Sequence, residues 1–444
     1  MRINHIPVCL IGILLALNVH AANLIVTNSN NTGPGSLRQA IQNNNSSGGN
    51  TIIFSNNVTG TITLTTGELL ISKDVTILGP GASVLAIDGN AASRVFHITN
   101  CTAYISGLTI TNGRATGNVS PADSGGGIYS VDSTNTLSAC ILTGNLAIYG
   151  GAIYNEDDAT RFTVMMVSNC TLSGNSATND GGAIYNDGND FAEVDLTSST
   201  LSSNSAALDG GGIFSLAHRS AVTLLKLSDC TLSGNTANLG GGIYNGQSMM
   251  GGNAEVDIGN TILNAGSMGS NIVYDALSTV VSLGYNLSSD SGGGVLTNAT
   301  DQINTDPMLG PLGYYGGQTM TMALLAGSPA IDEGNSFGLT TDQRGLPRPA
   351  QTVVHAVGGD GSSIGAYEPQ TLQITAVAQV STNLQLNFMS LLGTNYVVQS
   401  RADMVLGNWI SLPGSVAGNG WIAQINVTNA FTQPQQFYRI GLQP

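Results

Sequence analysis

The sequence predicts an all-β chain: a right-handed parallel β-helix with three strands in each coil of about 30 residues, followed by a small C-terminal β module. Three observations predict it. A short motif returns at one spacing, glycine and asparagine punctuate it at fixed places, and the short apolar runs between them show no helical period.

The motif is clearest in Cys170-Thr-Leu-Ser-Gly-Asn175 followed by Gly181-Gly-Ala-Ile-Tyr-Asn186. Copies are Cys140-Ile-Leu-Thr-Gly-Asn145 with Gly150-Gly-Ala-Ile-Tyr-Asn155, Ser199-Thr-Leu-Ser-Ser-Asn204 with Gly211-Gly-Ile-Phe-Ser215, and Cys230-Thr-Leu-Ser-Gly-Asn235 with Gly241-Gly-Ile-Tyr-Asn245. Asn145, Asn175, Asn204 and Asn235 are 30, 29 and 31 residues apart. Each unit holds three β-like runs, for example Thr171-Leu-Ser, Ala183-Ile-Tyr and Ala192-Glu-Val-Asp-Leu. Stacked coils place like strands ~4.8 Å apart in parallel ladders, so each backbone bond goes to the coil above or below.

Residue choice follows from that geometry. Side chains alternate along a strand, so Cys170 faces inward with Leu172, and Cys140 and Cys230 do the same. A small apolar thiol suits a narrow coil. Cys140 and Cys170 could in principle bridge, but packing accounts for them better. Ile128, Ile153, Ile184, Ile213 and Ile243 form a second inward row. The paired glycines before them suit positive φ or close backbone approach. The motif asparagines suit left-handed turns and, stacked, an amide ladder. With isoleucine inward, Tyr129, Tyr154, Tyr185, Phe214 and Tyr244 point outward on adjacent coils. That row is a candidate sugar-stacking or partner-binding strip, with ladder stabilisation as its plain structural role.

The rest of the chain is placed around this repeat. Arg2, the apolar run Val8–Leu17 and the small-residue site ending at Ala21 read as a signal peptide over residues 1–21. Residues 22–48 are expected to give an opening strand and a capping helix: Ser36 is a good N-cap, and Leu37, Ala40 and Ile41 share one helical face. The β-helix is expected over 49–300. After it the turn-rich stretch 301–370 carries Gly327-Ser-Pro-Ala-Ile-Asp332, Asp342-Gln-Arg-Gly345 and Ile364-Gly-Ala-Tyr-Glu368. Residues 371–444 read as a sandwich-like module with strands at Leu384–Phe388 and Tyr396–Ser400 and a core from Trp409, Trp421, Phe437 and Tyr438.

Composition narrows the partners. The formal net charge is −15 and only 12 residues are Lys or Arg, which argues against nucleic acid and anionic membranes. No span is expected in the mature chain. No cofactor is required by any motif, although an acidic extracellular surface could take Ca²⁺.

Gly150-Gly-Ala-Ile153 and Gly181-Gly-Ala-Ile184 resemble the repeat of polymorphic outer-membrane proteins, with Leu172-Ser-Gly-Asn175 standing where that repeat usually has Phe-x-x-Asn. The three motifs between Asp306 and Glu368 are similar to the choice-of-anchor Q domain of bacterial surface proteins. Together these resemblances cover roughly residues 23–370 and imply a secreted or surface-displayed bacterial β-helix with a structural or adhesive role, contacting an extracellular glycan or a cell-surface partner. The segment after 370 is too short for an outer-membrane barrel, so autotransport is not expected.

The alternative is a polysaccharide lyase or glycoside hydrolase acting on acidic polysaccharide. Its candidates are Asp157, Asp158, Arg161, Asp180, Asp209 and Arg219, with Asp187, Asp190 and His218 nearby in sequence. Asp157-Asp158 superficially resembles the paired aspartates of polygalacturonases, but the Gly-His-Gly and Arg-x-Lys elements of that family are missing. Solubilising turns is the plainer role for these acids.

Overall fold

The computed structural model describes residues 23–158, 162–248, 251–350, 356–403, 407–432 and 435–443. The expected signal peptide and Arg161 lie outside the described residues.

The repeat folds as a parallel β-solenoid with three long ladders. A ten-stranded sheet runs from Asn23–Val26 to Thr279–Gly284, an eight-stranded sheet from Leu69–Ile71 to Ile272–Tyr274, and a nine-stranded sheet from Gly60–Thr63 to Leu287–Ser288. They are called here the long-strand, aromatic and threonine sheets. A fourth ladder of two-residue strands, Arg114–Ala115, Leu146–Ala147, Ser176–Ala177 and Ser205–Ala206, joins the threonine sheet to the aromatic sheet. It is too short to leave an alternating signature, which is why only three strands per coil were expected.

Register is fixed residue for residue: Leu172 pairs with Leu142 and Leu201, and Ile184 with Ile153 and Ile213. The inward cysteines, leucines and isoleucines form one continuous core, and Cys101, Cys140, Cys170 and Cys230 are free thiols. The asparagines form the amide ladder. Asn145 Nδ2 donates to Asn175 Oδ1 at 3.0 Å, Asn175 to Asn204 at 2.9 Å and Asn204 to Asn235 at 2.8 Å. Each Oδ1 also accepts the backbone N–H of the preceding asparagine, so the buried amides are satisfied along the stack. The glycine pairs do both jobs expected of them. Gly181 has φ of 69°, and a Cβ on Gly182 would meet the carbonyl oxygen of Gly211 at 2.1 Å.

Helix α1, Leu37–Ser47, covers the first coil. The Ser36 hydroxyl caps it by accepting the Gln39 N–H at 3.2 Å, and Leu37, Ala40 and Ile41 are buried beneath it. The open end of the stack is thereby shielded from edge pairing.

Residues 306–350 and 356–368 form a strap laid lengthwise on the threonine sheet. Gln343 Nε2 donates to the Cys170 carbonyl at 3.1 Å, and the Thr200 hydroxyl donates to Gln343 Oε1 at 2.6 Å. Ala366 N–H reaches the Thr231 hydroxyl at 3.0 Å. Arg348 meets Asp229 at 2.6 Å and Glu368 at 3.3 Å, with all three side chains at 0 % exposure. Burial outweighs the pull of Arg348 and holds the Asp229 carboxyl up at about 6.

The C-terminal module is two small antiparallel sheets, one of three strands and one built around Asn395–Arg401. Its core differs from the expected one. Leu386, Phe388, Tyr396, Val398 and Val427 fill it, whereas Trp409 and Trp421 are only half-buried. Trp409 lies under Arg401 and Arg439, and Trp421 leaves the module to pack on Gly316 of the strap, where a Cβ would come within 2.3 Å of the indole. Arg344 continues the junction. It stacks over Tyr367 at 3.8 Å and donates to the Gly420 carbonyl.

Candidate functional site

The outward row of the aromatic sheet is a ladder of rings in the expected order. Alternation places Tyr129, Tyr154, Tyr185, Phe214 and Tyr244 one per coil, because each follows an inward isoleucine. Centroid distances along the row are 5.8, 4.9, 4.7 and 5.1 Å. His97 continues it edge-to-face on Tyr129 at 5.1 Å, and Tyr149 abuts Tyr185 from the side. Tyr129, Tyr154, Tyr185 and Phe214 are each at most 7 % exposed, and Tyr244 is half-buried. The row points outward, yet its ring faces are occupied by one another.

The polar edge of the row is ordered by carboxylates two positions further along the next coil. The Tyr129 hydroxyl donates to Glu156, that of Tyr154 to Asp187, and that of Tyr244 to Asp275 at 2.8 Å. Leu216 and Gly246 hold the corresponding positions after Tyr185 and Phe214. Phe214 thus stands where the next coil offers no acceptor, whereas Tyr185 carries a hydroxyl although Leu216 follows it on the next coil. Burial, then the neighbouring carboxylates, pushes the Tyr154 hydroxyl well above its ordinary value. Burial likewise raises the Glu156 carboxyl; the Tyr129 hydroxyl opposes this, and the charges of Asp187, Asp158 and Asp132 add to it. His218 Nε2 meets Asp187 at 2.9 Å, and that bond raises the imidazole. At the other end Glu68 holds Arg94 at 2.7 Å and His97 at 2.9 Å; burial alone would raise its carboxyl, but His97 and Arg94 together keep it low.

The acids singled out from sequence are not brought together. Asp157 is fully buried, and its Oδ2 accepts the N–H groups of Asp190 and Phe191 at 2.6 Å each, tying two coils at a turn. Asp158 is exposed and donates its N–H to Asp132. Asp180 and Asp209 lie at the opposite edge of the aromatic sheet, where Asp180 Oδ1 accepts the Asp209 N–H at 3.1 Å. Burial raises the Asp180 carboxyl to about 6. Arg219 is exposed, in a turn with φ of 34°. Glu68, Arg94 and His97 are not found from the sequence, and the bonds of Glu156 and Asp187 to the tyrosine row are not either, although Asp187 is among the candidate acids. The signal was present for Glu156 and Asp187, since an acid follows the aromatic by two positions at Tyr154 and again at Tyr185. Among the described residues, no group of three or more His, Cys, Asp or Glu side chains converges to hold a metal ion.

The class defined by this architecture is a β-solenoid with a repeat-encoded aromatic outer row. Its repeat is also matched by a known family: residues 169–187 match the Chlamydia polymorphic membrane protein repeat, and here they run from the strand Thr171–Ser173 through Ser176–Ala177 into the strand that carries Tyr185. No curated protein matches the chain in sequence. The matched repeat and the solenoid suggest a bacterial surface β-helix protein. No helix among the described residues is long and apolar enough to cross a membrane.

Proposed function

We propose that this is a secreted or surface-displayed bacterial β-helix with a structural and adhesive role, contacting an extracellular glycan or another cell-surface partner. The observation that carries the reading is the rim of the aromatic sheet. Five outward aromatics are locked ring to ring, and three of their hydroxyls are fixed by carboxylates, so the solenoid offers a rigid, regular polar edge. Tyr129, Tyr154, Tyr185, Phe214 and Tyr244 form the base of that edge, and Glu156, Asp187 and Asp275 are the acceptors along it. No cofactor enters this reading. The strap, whose motifs resemble a choice-of-anchor Q domain, holds the C-terminal module to the solenoid for attachment or display. The test is adhesion of the purified mature chain to glycan-coated and cell surfaces. The double substitution Glu156→Gln and Asp187→Asn should weaken adhesion, and unchanged adhesion would remove the rim from the reading.

One observation favours a second reading, a polysaccharide lyase or hydrolase. Glu156 and Asp187 are register partners on adjacent coils, and burial holds the Glu156 carboxyl above its ordinary value, as a general acid requires. Reducing-end release from an acidic polysaccharide, abolished by Glu156→Gln, would establish that reading over the adhesive one.

A further inference from the structure

A groove of about 930 Å³ runs along the corner where each coil enters the long-strand sheet. Gly49, Asp74, Thr102 and Thr134 line it in register on four successive coils, and Phe162 and Asp190, set two and three residues ahead of that register, line it on the next two. Five coil-to-coil steps make it roughly 24 Å long at the ~4.8 Å ladder spacing. Its walls are hydroxyl, carboxylate, amide and backbone groups held in place across coils; Asp74 Oδ1, for example, accepts the Thr102 N–H at 2.8 Å. Phe162 is the exception. Its ring is 64 % exposed and is braced edge-to-face by Phe191 at 5.4 Å. An exposed, immobilised ring beside a polar channel is a platform for the apolar face of a sugar.

We propose that this groove binds a linear, uncharged polysaccharide lying parallel to the solenoid axis. The inference rests on the glycan-binding part of the function proposed above and assigns it a place away from the aromatic ladder. Periodicity is the first reason. An extended chain of equatorially 1→4-linked hexoses advances by nearly the coil spacing per sugar, so each sugar meets the same corner of successive coils. Charge is the second. Asp74, Asp132 and Asp190 face the groove against Lys73 alone, which disfavours uronate and sulfated chains. Ring position is the third. Phe162 sits toward one end, so it stacks one sugar and leaves the remaining contacts to hydrogen bonds.

The test titrates the full mature chain by calorimetry with cellohexaose and chitohexaose as neutral probes and with hexagalacturonate as the acidic one. Binding of at least one neutral hexasaccharide is expected, weakened about tenfold by Phe162→Ala. It should be abolished by Thr134→Trp, which fills the middle of the groove. Both positions are exposed, so melting temperatures should stay at the wild-type value. Neutral binding untouched by both variants would overturn the groove while leaving the protein a glycan binder. Preference for hexagalacturonate would overturn the charge argument and with it the proposal. No binding of any hexasaccharide, in a chain that still adheres to cells, would overturn the proposal and leave the adhesive reading intact.

Discussion

The threonine sheet and the aromatic sheet each turn a row of like residues away from the core, and both rows end up buried by different means. Thr171, Thr200 and Thr231 are at most 1 % exposed because a distant segment lies on them. Tyr129, Tyr154, Tyr185 and Phe214 are almost as well covered, but largely by each other. The small polar row leaves room for a strap and supplies it with hydroxyls; the large apolar row fills its own space. In a solenoid, an outward direction therefore says little about exposure, and the size of the side chain decides whether a row needs a separate cover.

The sharpest way to break this comparison is to remove the strap's anchor. Arg348→Ala leaves Asp229 and Glu368 buried without their cation, which should cost about 3–5 kcal/mol in urea denaturation. Hydrogen exchange should rise over Thr171–Ser173, Thr200–Ser202 and Thr231–Ser233 and stay slow over Ile153–Glu156 and Ile184–Gly188. Equal loss of protection on both sheets would mean that the two covers are not independent.

On the other side, Tyr185→Ala removes a ring that touches Tyr154, Phe214 and Tyr149, and about 3 kcal/mol of stability should go with it. The strap should remain docked, as judged by its resistance to proteolysis. A melting temperature left at the wild-type value would mean that the ring is dispensable to the ladder, and a ligand-facing role for it would gain ground.

How much of this was legible in the sequence depends on distance along the chain. Coil, register, inward cysteines and isoleucines, amide ladder and α1 all follow from patterns within about 30 residues, and the structure has them. The covers do not. Nothing around Thr200 announces Gln343, 143 residues away, and nothing around Trp421 announces that it packs on Gly316 rather than inside its own module. The acids show the same limit. Asp157 and Asp180 are 23 positions apart in sequence, yet they sit at opposite edges of one sheet, while Glu156 and Asp187 are neighbours because coil stacking makes them so.

A smaller change separates ring stacking from the hydroxyl edge. Tyr154→Phe keeps the ladder and deletes the bond to Asp187, which retains His218 at 2.9 Å. The expected loss is about 1 kcal/mol, clearly less than for Tyr185→Ala. A loss as large as that of Tyr185→Ala would show that the carboxylate bonds, rather than the rings, hold the aromatic face together.

The smallest expected effect concerns charge. Burial raises Asp180, at the edge of the aromatic sheet, from 3.8 to about 6. The folded chain therefore keeps this proton after the unfolded chain has released it. Between those values the folded state binds more protons, so this group's contribution to stability falls as pH rises through the window, and the deficit is complete above about pH 6. Asp180→Asn, whose amide oxygen can still accept the Asp209 N–H, should match the wild type below pH 3.8 and be slightly more stable above pH 6, the difference being reduced by solvent at this half-buried site. Asp229 is also held at about 6, but it faces Arg348 under the strap. By the same linkage its ionised form costs stability above about pH 6, so Asp229→Asn should also raise stability at pH 7, even though Arg348 then keeps only Glu368 as a charged partner. Matching signs would show that burial governs both carboxylates; a loss at Asp229 alone would show that the threonine face depends on the charge paired with Arg348.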